Sequence, residues 1–173
     1  YYTRSNGMVK ALYVEKKPEF ANRAKELIKE FKESLQIVNL TDIRVINRYL
    51  IEDLSDEAFL EAGETIFSEP PTDTSCTDMD FRKQQVIAVE YLPGQFDQRA
   101  SSAEECLQFI APDETPTVKS AVIYILEGEL SSDELEKIKE YLINPVESRE
   151  AALGVPATLR SKYPDPAPVA TVK

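Results

Sequence analysis

A repeat with a period of about 75 residues constrains the fold of this chain more than any other feature of its sequence. The segment Val14-Glu15-Lys16-Lys17-Pro18-Glu19-Phe20 lines up, after one insertion, with Val89-Glu90-Tyr91-Leu92-Pro93-Gly94-Gln95-Phe96. Each segment follows a predicted strand and precedes a helical pattern. Self-similarity at a fixed period indicates copies of one supersecondary unit. The chain is therefore predicted to be a tandem duplication of a β-α-β-α module.

The repeat predicts an α+β fold in which a pseudo-twofold relates the halves and the helices pack on a sheet that both halves share. The first copy is expected at residues 8–71, a connection at 72–84 and the second copy at 85–150. Residues 1–7 are predicted to precede the native start at Met8, and the Pro-rich residues 151–173 to be a linker to the rest of a longer chain. Strand order is not predicted, because a helix-long connection allows several arrangements.

Local signals place the helix boundaries. Pro18 suits the first turn of a helix, and Ser55 is a predicted N-cap. In the second half, Ser102 with Glu105 and Ser131 with Glu134 each match the capping-box pattern. Cys106 falls on the apolar side of the helix predicted to begin near Ser101 or Ser102, so we expect it to be a small core residue rather than a reactive thiol.

Composition excludes several classes of function. The net charge of −11 and the pI of about 4.6 argue against a nucleic-acid partner. Histidine is absent, which removes the imidazole base and the His metal ligand from consideration. The sequence has no apolar run long enough for a membrane span and only two cysteines, so we expect a soluble cytoplasmic protein with free thiols.

Two polar segments are the candidates for contact with a partner. The turn at residues 91–99 is interpreted either as a loop that docks a partner or ligand at a helix N-terminus, or as an ordinary solvated connection. The segment after the last helix is interpreted either as a contact segment or as a helix stop with a charged tail. The candidate contact residues are Tyr91, Leu92, Pro93, Gly94, Gln95, Phe96, Asp97, Gln98 and Arg99 in the turn, and Asn144, Pro145, Glu147 and Arg149 in the second segment.

No catalytic, cofactor or metal site is predicted. The single Pro-Gly pair lacks the glycine spacing and the Lys-Ser/Thr of a phosphate loop. Acidic pairs such as Glu104 with Glu105, or Glu127 with Glu129, are interpreted as solvated surface in a chain that is 29% charged. An independent enzyme that works through carboxylates remains an unfavoured alternative.

These residues resemble a known family. The first half is similar to the small third subunit of multi-subunit phosphoribosylformylglycinamidine synthase, and two fused copies look like the N-terminal domain of the single-chain form of that enzyme. The more specific parts of the resemblance are Leu92-Pro93-Gly94-Gln95-Phe96-Asp97-Gln98-Arg99 and Asn144-Pro145-Val146-Glu147-Ser148-Arg149-Glu150. The first copy departs from the pattern, with Phe67-Ser68-Glu69-Pro70 in place of the Asn-Pro-Val-Glu ending and Glu19 in place of Gly94. We therefore expect the second copy to carry more of the contact surface.

The resemblance implies a parent ligase of purine biosynthesis that uses ATP, magnesium and glutamine-derived ammonia to convert formylglycinamide ribonucleotide to its amidine. The family's ATP site, substrate site and glutaminase triad lie downstream of this domain. The chain is then expected to be a non-catalytic docking domain between the synthetase and glutaminase parts of the same chain. The alternative is a ligand-sensing α+β domain that binds an amino acid or nucleotide between the repeats, and this alternative requires a polar pocket at the pseudo-twofold axis.

Overall fold

The computed structural model describes residues 8–159, which form six β-strands and four α-helices. The strands are β1 (Val9–Lys16), β2 (Leu40–Glu52), β3 (Asp73–Cys76), β4 (Gln85–Tyr91), β5 (Thr117–Gly128) and β6 (Ser148–Glu150). The helices are α1 (Asn22–Glu33), α2 (Asp56–Thr65), α3 (Gln98–Ile110) and α4 (Ser132–Leu142). A short 3₁₀ turn, Pro18–Phe20, precedes α1. The predicted leader and residues 160–173 of the predicted linker lie outside the described residues.

The six strands form one sheet in the order β3-β1-β2-β5-β4-β6, with every neighbouring pair antiparallel. The halves join at the centre of the sheet, where β2 pairs with β5 from Leu40·Gly128 to Glu52·Thr117. The α+β class and the shared sheet are therefore confirmed. Within residues 8–159, none of the helices has the length and apolar character that a bilayer span requires.

The pairing registers of the two halves correspond at an offset of 75 residues. The pair Lys10·Ile51 of β1 and β2 becomes Gln85·Leu126, which is a pair of β4 and β5. At the outer strands, Glu15·Thr74 likewise becomes Glu90·Arg149. A common origin of the halves stays a prediction, but their strand pairing is equivalent pair for pair.

The same offset locates the pseudo-twofold axis. Asn47 of β2 and Val122 of β5 are equivalent positions, and they pair with each other. An axis that exchanges the halves must therefore pass between these two residues, at the middle of the sheet.

All four helices pack on one face of the sheet. The fully buried Leu27 and Phe31 of α1 contact the sheet beside Ile138 of α4, whereas α2 and α3 cover the opposite end through Ala62 and Leu107. In α1 the buried positions are Ala24, Leu27 and Phe31; one residue is inserted before α3, and there they become Ala100, Ala103 and Leu107. The helices of the two halves thus present equivalent faces to the sheet at an offset of 76.

The other face of the sheet is covered by segments that the sequence predicts to be a connection and a linker. Met79 and Phe81 of the connection pack on it, together with Leu153 and the buried Leu159. Glu52, which is 2% exposed, accepts hydrogen bonds from the Leu159 amide at 2.8 Å and from the Thr158 hydroxyl. Residues 151–159 are therefore part of the folded domain and not an extended spacer.

Three further local predictions are wrong. The predicted connection contains β3, and the predicted charged tail after α4 contains β6, so each half has a third strand. The N-cap of α3 is Asp97 and not Ser102, because the helix begins four residues earlier than the capping-box pattern indicates. Cys106 lies on the exposed side of α3 as a free thiol. The caps at Ser55 and Ser131, the latter with a complete capping box, are confirmed.

Candidate functional site

The two predicted contact segments lie side by side. The Leu92 amide donates to the Glu147 carbonyl at 2.9 Å, and the Arg149 guanidinium binds the Glu90 carboxylate at 2.7 Å. These bonds continue the pairing of β4 with β6, which places the turn after β4 beside the turn before β6. Residues 91–99 and 144–149, named here the turn surface, therefore form one continuous region of the second half.

Most candidate residues of the turn surface are exposed. Phe96 is 71% exposed and Tyr91 is 43% exposed, while only Leu92 and Asp97 are half-buried. The other exposed candidates are Pro93, Gly94, Gln95, Gln98, Arg99, Asn144, Pro145, Glu147 and Arg149. These side chains are available to a partner, apart from those that hold the turns in place.

Asp97 is one of the residues with a structural role. Its carboxylate accepts hydrogen bonds from the Ala100 amide at 3.0 Å, from the Ser120 amide at 2.9 Å and from the Ser120 hydroxyl at 2.8 Å. It thus caps α3 and fastens the turn to the central strand β5 at the same time.

Asn144 and Gly94 also shape the turn surface. The Asn144 side chain accepts from the Val146 amide at 3.1 Å, an Asx turn that reverses the chain after α4. Gly94 has a φ of +89°, which a residue with a Cβ adopts only under strain. Asn144 and Gly94 therefore position the exposed side chains around them.

A second feature lies where the sequence analysis names only one residue. A cleft of about 410 Å³ opens on the helical face of the sheet above the pair Asn47·Val122, so the pseudo-twofold axis passes through it. This axis cleft is defined by Arg23, Val45, Asn47, Arg99, Val122 and Tyr124, with Lys16 and Phe20 at its margin. The Arg99 guanidinium donates to the Asn47 side-chain oxygen at 3.0 Å and so bridges the two halves.

The axis cleft is rich in positive charge. The buried Tyr124 hydroxyl interacts with both Arg23 and Arg99; burial raises the pKa of this tyrosine, and the two guanidinium groups oppose that rise. Lys16 is neutralised by Asp73 at 2.9 Å. Within residues 8–159, neither Arg23 nor Arg99 forms an ion pair with a carboxylate.

The axis cleft and the turn surface are connected. A neighbouring cleft of about 540 Å³ shares Arg99, Val122 and Tyr124 with the axis cleft and extends to Tyr91 and Glu147 of the turn surface. Arg99 therefore belongs to both regions. It is the only residue of the axis cleft that the sequence analysis identifies as a candidate.

The chemistry of these sites is that of binding. The described part of the chain holds no group of three or more His, Cys, Asp or Glu residues that could bind a metal ion. The side chains that meet at the axis cleft are guanidinium, amide and phenol groups, which bind and orient anions.

Comparison with known proteins gives no relative from which to transfer a function. No protein-family model matches the chain, and no curated protein matches it. The function is therefore argued from the turn surface and the axis cleft themselves.

Proposed function

We propose that this chain is a non-catalytic docking domain of phosphoribosylformylglycinamidine synthase, which couples the synthetase and glutaminase parts of that ligase. The observation that carries the proposal is the juxtaposition of residues 92–99 with residues 144–149 through the Leu92–Glu147 hydrogen bond. These are the two segments on which the family resemblance is most specific, and they lie about 50 residues apart in sequence.

The side chains of the turn surface support a docking role. Phe96 and Val146 are 71% and 77% exposed, and Tyr91 and Arg149 lie on the same pair of segments. Exposed aromatic residues with arginine are the side chains most often found at the energetic centre of protein interfaces. Apolar side chains held in water on rigid turns lose little conformational freedom when a partner covers them.

The partner in this proposal is the remainder of the same enzyme. Ammonia released by the glutaminase part must reach the synthetase part without escaping to water, which requires that the two parts be held in a fixed relation. A rigid domain with a six-stranded sheet is suited to that task. The ATP and magnesium of the reaction would bind in the parent enzyme and not in this domain.

The proposal is tested by measuring the affinity of the full 173-residue chain for the remainder of the enzyme by biolayer interferometry. Phe96→Ala should weaken association at least tenfold, because truncating a central aromatic residue of an interface commonly costs on the order of 2 kcal/mol. Phe109→Ala is the matched control, since Phe109 is 89% exposed near the far end of α3. An absence of association, or an equal loss for both variants, would contradict the proposal.

The second candidate function is a ligand-sensing domain, and the axis cleft favours it. This function requires a polar pocket between the repeats, and the cleft with Asn47, Arg99 and Tyr124 is such a pocket. A thermal-shift screen with glutamine, ATP and purine nucleotides tests it. A ligand present at one hundred times its dissociation constant stabilises the folded state by about 2.7 kcal/mol, whereas no shift with any of these compounds would exclude them as ligands.

A further inference from the structure

The charge of the axis cleft is opposite to that of the chain as a whole. The chain carries 31 acidic and 20 basic residues, yet two arginines without a carboxylate partner in the described part of the chain line one cleft. A solvated guanidinium on an acidic protein usually has carboxylates close by. Two that face a common cleft without one form a site of positive potential in a negative surface.

The two arginines are equivalent under the pseudo-twofold. Arg23 is the second residue of α1 and Arg99 the second residue of α3, and they are separated by the helix offset of 76. The axis passes between Asn47 and Val122 in the floor of the cleft. The symmetry of the fold therefore brings one guanidinium from each half to the same place.

The helix ends at the cleft have the same polarity as the arginines. Neither α1 nor α3 has an acidic residue in its first turn, and no side chain caps the N-terminus of α1. In contrast, α2 and α4 carry the usual first-turn carboxylates, namely Asp56 and Glu57 in α2 and Asp133 and Glu134 in α4. A cation at a helix N-terminus is electrostatically unfavourable, and an anion bound between them removes the conflict.

The size and floor of the cleft suit a small molecule rather than a second protein. Its volume of about 410 Å³ falls in the range typical of small-ligand pockets. Val45 and Val122 form an apolar floor beside the buried Tyr124, and Phe20, 44% exposed, stands at the margin. An anionic group can thus bind the guanidinium groups while an apolar or planar body lies against the floor.

We propose that the axis cleft binds a small organic anion, with its phosphate or carboxylate group held between Arg23 and Arg99 and its body on the floor formed by Val45 and Val122. Each guanidinium offers paired N–H donors that match the oxygens of either group. Asn47 orients Arg99 through the hydrogen bond at 3.0 Å. This inference rests on the ligand-sensing candidate and is independent of the docking proposal.

The proposal is tested by isothermal titration calorimetry on the full 173-residue chain. The probes are ADP and pyrophosphate for a phosphate group, glutamate for a carboxylate group, and adenosine as the uncharged comparison. At least one of the three anions should bind, adenosine should bind at least tenfold more weakly than ADP if ADP is that anion, and the affinity should fall as the salt concentration rises.

Three variants assign the binding to the cleft. Arg23→Gln and Arg99→Gln should each weaken binding at least tenfold, because each removes charge-assisted hydrogen bonds to the anion. Arg82→Gln is the matched control, since Arg82 is an exposed arginine outside the cleft whose partner is Asp80, and it should change the affinity less than twofold. NMR amide shifts at Asn47 and Val122 on addition of the anion provide a readout in the unaltered chain.

The outcomes separate the inference from the functions proposed above. Failure of all three anions to bind at millimolar concentration overturns the inference. Anion binding that Arg23→Gln and Arg99→Gln leave unchanged overturns it too, but leaves a ligand-sensing function in place. Binding only of an acidic peptide from the remainder of the enzyme would assign the arginines to the docking interface instead and would also overturn the inference.

Discussion

Replacing Asp97 with alanine should destabilise the domain by more than an ordinary helix cap accounts for. The Asp97 carboxylate caps α3 through the Ala100 amide, and loss of an N-cap costs about 1 kcal/mol. The same carboxylate accepts hydrogen bonds from the amide and the hydroxyl of Ser120, which is 7% exposed. Leaving buried donors without a partner costs about 1–3 kcal/mol more. The expected loss in free energy of unfolding is about 2–4 kcal/mol.

The assay is urea denaturation followed by far-UV circular dichroism, with Ser131→Ala as the matched control. Ser131 caps α4 in a solvent-exposed capping box, so its replacement removes only the cap and should cost about 1 kcal/mol. A double-mutant cycle with Ser120→Ala should give a coupling energy of about 1 kcal/mol, because the Asp97 and Ser120 side chains share a hydrogen bond. If Asp97→Ala is no more destabilising than Ser131→Ala, the bonds from the turn to β5 are not important for stability and the reasoning fails.

Three other changes probe the fold. Gly128 has a φ of +130° and a Cβ there would overlap the Asn39 carbonyl, so Gly128→Ala should lower the midpoint of thermal unfolding by several degrees, whereas Gly154→Ala, in open space, should leave it unchanged. Burial acts to raise the pKa of Asp73, but the Glu69 amide and Lys16 outweigh it and lower that pKa. A lowered pKa contributes stability above the unfolded value, so the advantage of the wild type over Asp73→Asn in urea denaturation should be constant near pH 7 and should shrink below about pH 4. Glu52→Ala removes the acceptor for the Leu159 amide, and amide exchange in residues 153–159 should rise more than in β5 if this carboxylate holds the segment on the sheet.

The elements with strong local signals could be predicted from the sequence. The apolar stripe of α1, the caps at Ser55 and Ser131 and the buried character of β5 each depend on neighbouring residues. The repeat added the shared sheet, because equivalent strands of two copies can pair across an axis.

The missed features depend on contacts distant in sequence. Strands β3 and β6 are short and polar, and they become strands only because β1 and β4 offer unpaired edges to them. Asp97 rather than Ser102 begins α3 because its carboxylate also binds Ser120, 23 residues later. Residues 151–159 resemble a linker in composition, but Glu52 and the apolar face of the sheet hold them in place.

The candidate sites follow the same division. The turn surface could be located from its dense run of recognition-type residues, although its union with residues 144–149 required the pairing of β4 with β6. The axis cleft draws Arg23 and Asn47 from the first half and Arg99 and Tyr124 from the second. Nothing local marks these four residues as a group. Taking the helix offset from the repeat would have identified Arg23 as the counterpart of Arg99.

The most direct test of the docking account compares two activities of the parent enzyme. The remainder of the enzyme, lacking this domain, is assayed with glutamine and with free ammonia as the nitrogen source. The account predicts that removing the domain lowers the glutamine-dependent rate far more than the ammonia-dependent rate, and that adding the full 173-residue chain restores the former. Equal rates with glutamine in the presence and absence of the chain would contradict it.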